Sequence, residues 1–250
     1  MRMTFRIYLL SITAFLLPLI FAVQNTPAAD LDILIPNSLI QSQFKSFSQE
    51  AGLALSYLPL SPAEPLGVLG FDIGVEVTAV NIREGESYWK AVAPDAPSQL
   101  LLPKVHVQKG LPFGFDVGAV FSKVPQSNVS MMGGELKWAL LSGNAVLPAV
   151  AIRGSYTKLL GVDSLDLQTI GADLSISKGF AFITPYVGIG QVWVKSQEKI
   201  NDLILNLKEE RLALTKGFVG VKISLLVVNF VAEADFSKIP MYSGRINIGF

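Results

Sequence analysis

Residues 70–78 read Gly-Phe-Asp-Ile-Gly-Val-Glu-Val-Thr, and the alternation within them decides the fold. Successive side chains of an extended chain point to opposite sides, so Phe71, Ile73, Val75 and Val77 share one face while Asp72, Gly74, Glu76 and Thr78 share the other. The motif returns as Gly-Phe-Asp-Val-Gly at 114–118, where Phe115, Val117, Ala119 and Phe121 oppose Asp116, Gly118 and Ser122. Two strands in one kind of environment follow from the repeat.

The same period runs onward. Met132, Gly134, Leu136, Trp138 and Leu140 oppose Gly133, Glu135 and Lys137, and Val150, Ile152 and Tyr156 oppose Arg153, Ser155 and Thr157. Ile170, Ala172, Leu174 and Ile176 oppose Gly171, Asp173, Ser175 and Ser177. Val219, Val221 and Ile223 oppose Gly220 and Lys222, and Phe230, Ala232, Ala234 and Phe236 oppose Val231, Glu233, Asp235 and Ser237. The chain ends with Ile246, Ile248 and Phe250 against Arg245, Asn247 and Gly249. Turn residues divide the pattern into strands near 68–82, 101–109, 113–124, 128–141, 145–159, 164–177, 182–197, 211–224, 227–238 and 241–250. Most reach the roughly 9–11 residues that cross a bilayer when tilted. The polar face is small, with isolated charges between Gly and Ser, which suits an interior better than the Lys- and Glu-rich outside of a soluble sandwich. The pattern therefore predicts an all-β, antiparallel, up-and-down transmembrane barrel of about ten strands.

Composition agrees with that class. The 250 residues are 50% hydrophobic and 16% charged, with a mean hydropathy of +0.46. This is apolar for a water-soluble domain, yet no stretch after Asp30 approaches the roughly 18 apolar residues of a spanning helix. There is no Cys, which excludes disulfides, thiolate nucleophiles and thiolate metal sites. Twenty Lys and Arg balance 20 Asp and Glu, so no net field draws the chain to nucleic acid.

The N-terminus carries an export pattern. Arg2 and Arg6 precede an apolar run from Ile7 to Val23, then small residues at Thr26, Ala28 and Ala29. Residues 1–29 are predicted to be a signal peptide cut before Asp30; an uncleaved anchor is the other reading. Cleavage leaves 18 cations against 20 anions.

With this leader, the two-residue repeat and Phe250 preceded by Ile248 and Ile246, residues 68–250 resemble bacterial outer-membrane β-barrel proteins, of an uncharacterised small-barrel kind. The resemblance implies outer-membrane lipid as the solvent of the barrel. It also implies that the barrel assembly machinery reads Ile246, Ile248 and Phe250, although Gly244 departs from the fuller form of that signal. Short turns at Lys109–Pro112, Ser142–Asn144 and Lys178–Phe180 are then periplasmic, and the longer loops at 81–100 and 196–210 face outward.

Between leader and barrel, residues 30–60 form a separate segment. Leu39, Ile40, Phe44 and Phe47 stand at helical spacing, predicting an amphipathic helix over Ser38–Ala51 capped by Asn37 and stopped by Gly52. It is expected near the periplasmic mouth, under the barrel or inside it. Gly52–Leu60 also alternates, and as a strand it would raise the count toward twelve.

The inward face collects Asp72, Glu76, Lys104, His106, Asp116, Glu135, Lys137, Arg153, Asp173, Lys222, Glu233, Asp235 and Arg245. Such charges either pair into a ladder that fills the barrel or line a polar path. Ten strands leave room for a narrow pore or a small solute and not for a wide channel. His106 is the single His and has no Ser two residues on, and Asp72 and Glu76 lie too far apart along a strand to share one Ca²⁺. No catalytic, cofactor or metal site is expected, and the chain is not expected to be an enzyme. Tyr88, Trp89, Trp138, Tyr156, Tyr186, Trp193 and Tyr242 read as girdle aromatics. Leu203, Ile204, Leu205 and Leu207 make an apolar cluster in the second long loop. The functional expectation is a narrow pore or solute-binding barrel, with a filled barrel acting through its loops as the alternative and a lipid-modifying enzyme behind both. Oligomeric state is not legible.

Overall fold

The computed structural model describes residues 32–125, 127–200 and 207–250. The leader, and Leu203, Ile204 and Leu205, lie outside them. Helix α1 (Gln41–Leu55) is followed by β1 (Phe71–Asn81), a short helix α2 (Ser87–Val92), β2 (Gln99–Gly110), β3 (Phe115–Lys123), β4 (Ser130–Ser142) and β5 (Ala149–Leu160). Then come β6 (Leu165–Ser177), β7 (Ile183–Glu198), β8 (Glu210–Leu225), β9 (Val228–Phe236) and β10 (Met241–Gly249). Every strand pairs antiparallel with its sequence neighbour, and β1 pairs with β10 to close the barrel. At that seam Phe71 and Phe250 exchange backbone hydrogen bonds of 3.1 Å each. Both ends of the barrel sequence thus lie at the mouth with the short turns, and the connection at 82–98, the end of β7 and the start of β8 lie at the opposite mouth.

The wall is two-faced, as the period requires. Ile73, Val105, Phe121, Leu136, Leu174, Ile189, Val219 and Ile248 are exposed on the outside. Asp72, Glu76, Asp116, Lys137, Lys216 and Asp235 are buried within. A water-soluble barrel would have the reverse pattern; an apolar outer belt is stable where lipid replaces water. Phe115 stacks on Trp138 near the short-turn mouth, with ring centroids 5.5 Å apart.

The segment before β1 departs from the sequence reading in three ways. Helix α1 begins at Gln41, not Ser38, because residues 37–38 form a turn; the Gln43 side chain then accepts the Ile40 N–H at 3.3 Å. It also runs through Gly52 to Leu55. Gly52 is there for close packing and not as a stop: a Cβ at this position would stand 2.5 Å from Cγ1 of Val194 on β7. The helix ends where the Ser56 hydroxyl and N–H both bond the Leu53 carbonyl.

The third difference is position. Helix α1 sits at the long-loop mouth, not at the short-turn mouth expected, packed against β6, β7, β8 and α2. Ser48 bonds Ser196 of β7, and Gln41 bonds Glu210 of β8. The chain then descends inside the barrel and leaves at the short-turn mouth to start β1. Gly52–Leu60 is therefore half helix and half lumen chain; its residues are buried on every side, which mimics alternation without strand pairing. The barrel of the described residues has ten strands, not twelve.

Substituting Gly52 by Val tests this packing. Two methyl-bearing branches forced into Val194 should cost about 1–3 kcal/mol, as overpacking does elsewhere. Equilibrium unfolding of the refolded chain measures it, and an unchanged midpoint would mean that the helix is free to shift outward.

Candidate functional site

The site is the lumen, and its principal occupant is the chain's own segment 56–66. From the top, the Tyr57 hydroxyl meets His106 Nε2 at 2.5 Å and the Tyr57 carbonyl accepts from Lys216 Nζ at 2.9 Å. Leu60 N–H donates to Glu233 at 3.0 Å, Arg153 to the Ser61 hydroxyl at 2.9 Å, and Ala63 N–H to Ser177 at 3.1 Å. Lys137 donates to the carbonyls of Pro62 at 3.1 Å and Glu64 at 2.9 Å, and Leu66 N–H donates to Asp116 at 3.1 Å. These contacts reach β2, β3, β4, β5, β6, β8 and β9. Leu60 is held at φ 44°, a left-handed conformation that a branched side chain adopts only under constraint.

Around this core the wall charges pair. Asp116 lies 2.9 Å from Lys137, Glu135 2.5 Å from Arg153 and Asp72 2.7 Å from Arg245. Glu76 stands 3.4 Å from Lys104 and 3.2 Å from His106 Nδ1. Arg245 Nη1 reaches the same nitrogen at 2.8 Å, so Nδ1 stands between a guanidinium and a carboxylate while Nε2 faces the Tyr57 hydroxyl. The remaining acids are less well served. Asp173 is 3.6 Å from Lys216, and both its oxygens and both of Asp235 make no hydrogen bond; Glu233 accepts from Tyr186 at 2.7 Å as well as from Leu60. Of the thirteen charged and His residues assigned to the interior by strand parity, twelve are buried, and Lys222 is half-buried near the short-turn mouth.

Lys216 stands outside that set, which on β8 begins at Val219; the same parity carried back through Phe218 places it inside. Tyr57 falls in the alternating stretch Gly52–Leu60, whose period gives no sign that it lies inside the barrel. Tyr186 is not a girdle residue: it faces the lumen, 2% exposed. Tyr88 and Trp89 leave the girdle too, being buried on α2 against α1. Both donate to the buried Glu50, Tyr88 at 2.9 Å and Trp89 at 2.7 Å, and Arg83 adds an ion pair at 3.4 Å. Burial, and then the bond to Glu50, pushes the Tyr88 hydroxyl well above the ordinary phenol range. It therefore goes on donating at pH values where a free Tyr ionises. Trp138, Tyr156, Trp193 and Tyr242 remain exposed on the outer face.

One cavity borders the segment and another lies above it, under α1. The first, of about 160 Å³, opens at the short-turn mouth between Pro62, Glu64 and Leu66 and the wall residues Asp72, Lys137, Lys222 and Arg245. The other, about 80 Å³ and almost wholly apolar, lies under the long-loop mouth between α1 and β2 to β6. Among the described residues no cluster of acids or imidazole has the arrangement of a metal site.

No family profile matches the chain, and no curated protein matches it. Among solved structures it is similar to the β domain of the Bordetella autotransporter BrkA, with TM-score 0.39 and 10% identity over 72% of this chain and 99% of that one. The KdgM porin gives 0.37 and 6% over 72% and 99%. Neisserial surface protein A gives 0.31 and 7% over 72% and 96%.

Proposed function

We propose that the chain is an integral outer-membrane barrel, exported by its N-terminal leader, whose lumen is closed by its own residues 56–66 and whose working surface is the long-loop mouth capped by α1. The observation that carries this reading is the lumen segment: it is tied to seven strands, mostly through buried charged side chains, and so occupies the interior through which a solute path would have to run. The apolar outer belt supports lipid as its surroundings, and Ile248 and Phe250, both exposed at the closing seam, supply the terminal pattern that assembly machinery would read. The role is non-enzymatic. Both nitrogens of His106 are engaged by Tyr57, Arg245 and Glu76, which leaves no free base for a nucleophile.

Planar-bilayer recording of the refolded chain tests the closure. The intact protein should give no steady conductance; sustained discrete steps would overturn the reading.

A second reading, a narrow pore or small-solute barrel, is favoured by the 160 Å³ polar cavity at the short-turn mouth. It requires the segment to move. Conductance steps whose ion selectivity changes in the Asp72→Asn, Asp116→Asn chain would carry it.

A further inference from the structure

The apolar cavity under the long-loop mouth is bounded on one side by a stretch of barrel wall that is incomplete. Strand β2 runs up to Gln99, but its pairing with β3 stops at Lys104↔Ser122. Pro103 is next in line and has no N–H to donate, and its carbonyl is taken by the Ser122 hydroxyl at 2.6 Å. Residues 99–103 thus pair with β1 alone. Leu100, Leu101 and Leu102 of this unpaired edge line the cavity. Leu102 and Met131 line it from the lumen side, Ala54 and Trp89 from α1 and α2, and Leu101, 42% exposed, lines it from the outer face.

Its lining is nearly all hydrocarbon, so it holds no ordered water. At about 10–15 Å³ of such volume per water-sized group, 80 Å³ takes roughly six groups, or a like number of methylenes. A free edge, a dry slot of that length and a lining that reaches the outward-facing Leu101 have one occupant in common. We infer that the cavity is a lateral binding site for the acyl chain of a membrane lipid, which enters between β2 and β3 beside Pro103 and ends against Trp89 beneath α1. The inference rests on the outer-membrane reading, since only there does Leu101 border lipid. The occupant braces α1 from below and couples the mouth of the barrel to the membrane around it.

The chain has three Trp residues, which makes the test direct. In the full chain, Trp138→Phe with Trp193→Phe leaves Trp89 in the cavity; Trp138→Phe with Trp89→Phe leaves Trp193, exposed on the outside. Each is refolded into phosphatidylcholine vesicles with brominated or unbrominated acyl chains. Brominated lipid should quench both, and adding Ala54→Phe, which fills the slot, should restore most of the Trp89 emission while leaving Trp193 quenched. Trp89 unquenched beside a quenched Trp193 would overturn the acyl site and leave the membrane reading standing. Neither residue quenched would overturn both. Quenching of Trp89 that survives Ala54→Phe would place the lipid outside the wall and overturn the site. Circular dichroism and the heat-modifiable gel shift establish that the filled variant is folded, and native mass spectrometry of the detergent-extracted proteins gives a second reading. Lipid should be retained by the parent and at least tenfold less by Ala54→Phe; equal retention counts against the site.

Discussion

Replacing Lys137 by Met should destabilise the barrel by about 3–5 kcal/mol, the loss typical of a buried pair deprived of one partner. Lys137 Nζ is the junction of three contacts, to Asp116 at 2.9 Å and to the carbonyls of Pro62 and Glu64. Met fills a similar volume but carries no donor. Asp116, fully buried, would keep only the Leu66 N–H as a partner, and two carbonyls of the lumen segment would lose theirs. The expected outcome in urea unfolding of the refolded protein is a lowered midpoint, with protease cleavage between residues 61 and 66 appearing before the strands unfold. Adding Asp116→Asn removes the stranded charge while keeping an acceptor for Leu66, so the double variant should recover much of the loss. A Lys137→Met protein within about 1 kcal/mol of its parent would mean that the pair is worth no more than an exposed one, and that the segment is not held there.

Val219→Arg separates a membrane wall from a soluble one. Val219 lies on β8 beside Val187 and Ala234, 46% exposed on the outer face. In water an Arg here would be harmless or helpful. In lipid, a cation near the bilayer midplane costs about 2–4 kcal/mol, falling toward zero at the interfaces. Unfolding from vesicles should show that penalty for Val219→Arg and almost none for Leu226→Arg, which stands 97% exposed in the β8–β9 turn. Equal stability of the two in vesicles would remove the outer belt as evidence for membrane insertion.

The ten strands were readable because one rule, period two, governs every strand and turn residues interrupt it cleanly. Strand parity also divides the wall charges into an inner set, since burial in a barrel follows side-chain direction and nothing else. Pairings across strands were not readable: Asp72 with Arg245 and Glu135 with Arg153 depend on register, which no local pattern states. Least legible was the segment from Ser56 to Leu66. Its surroundings are side chains from seven strands, so Ser56 to Ala63 are buried on every side and the alternation of Gly52–Leu60 stands for no strand. Helix α1 showed a one-sided pattern, yet Glu50, on the helix, is as buried as Phe47 because Tyr88, Trp89 and Arg83 come from another part of the chain to meet it. That same meeting took two aromatics away from the girdle where their type alone would put them.

The lumen segment also constrains the history of the molecule. Leu60 meets Glu233, and Asp72 meets Arg245, each across 173 residues of sequence. Neither contact exists until the last hairpin is made, and contacts of such separation form late because the loop they close costs entropy first. A finished tube would have to admit a preformed helix end-on past a lining of paired charges. A curling sheet has only to wrap around a segment of its own chain already lying along it, with Phe71 and Phe250 meeting last. The segment is then less a stopper inserted into a vessel than the mandrel on which the vessel was rolled, and the paired charges along it are the record of which turn of the sheet was laid down where.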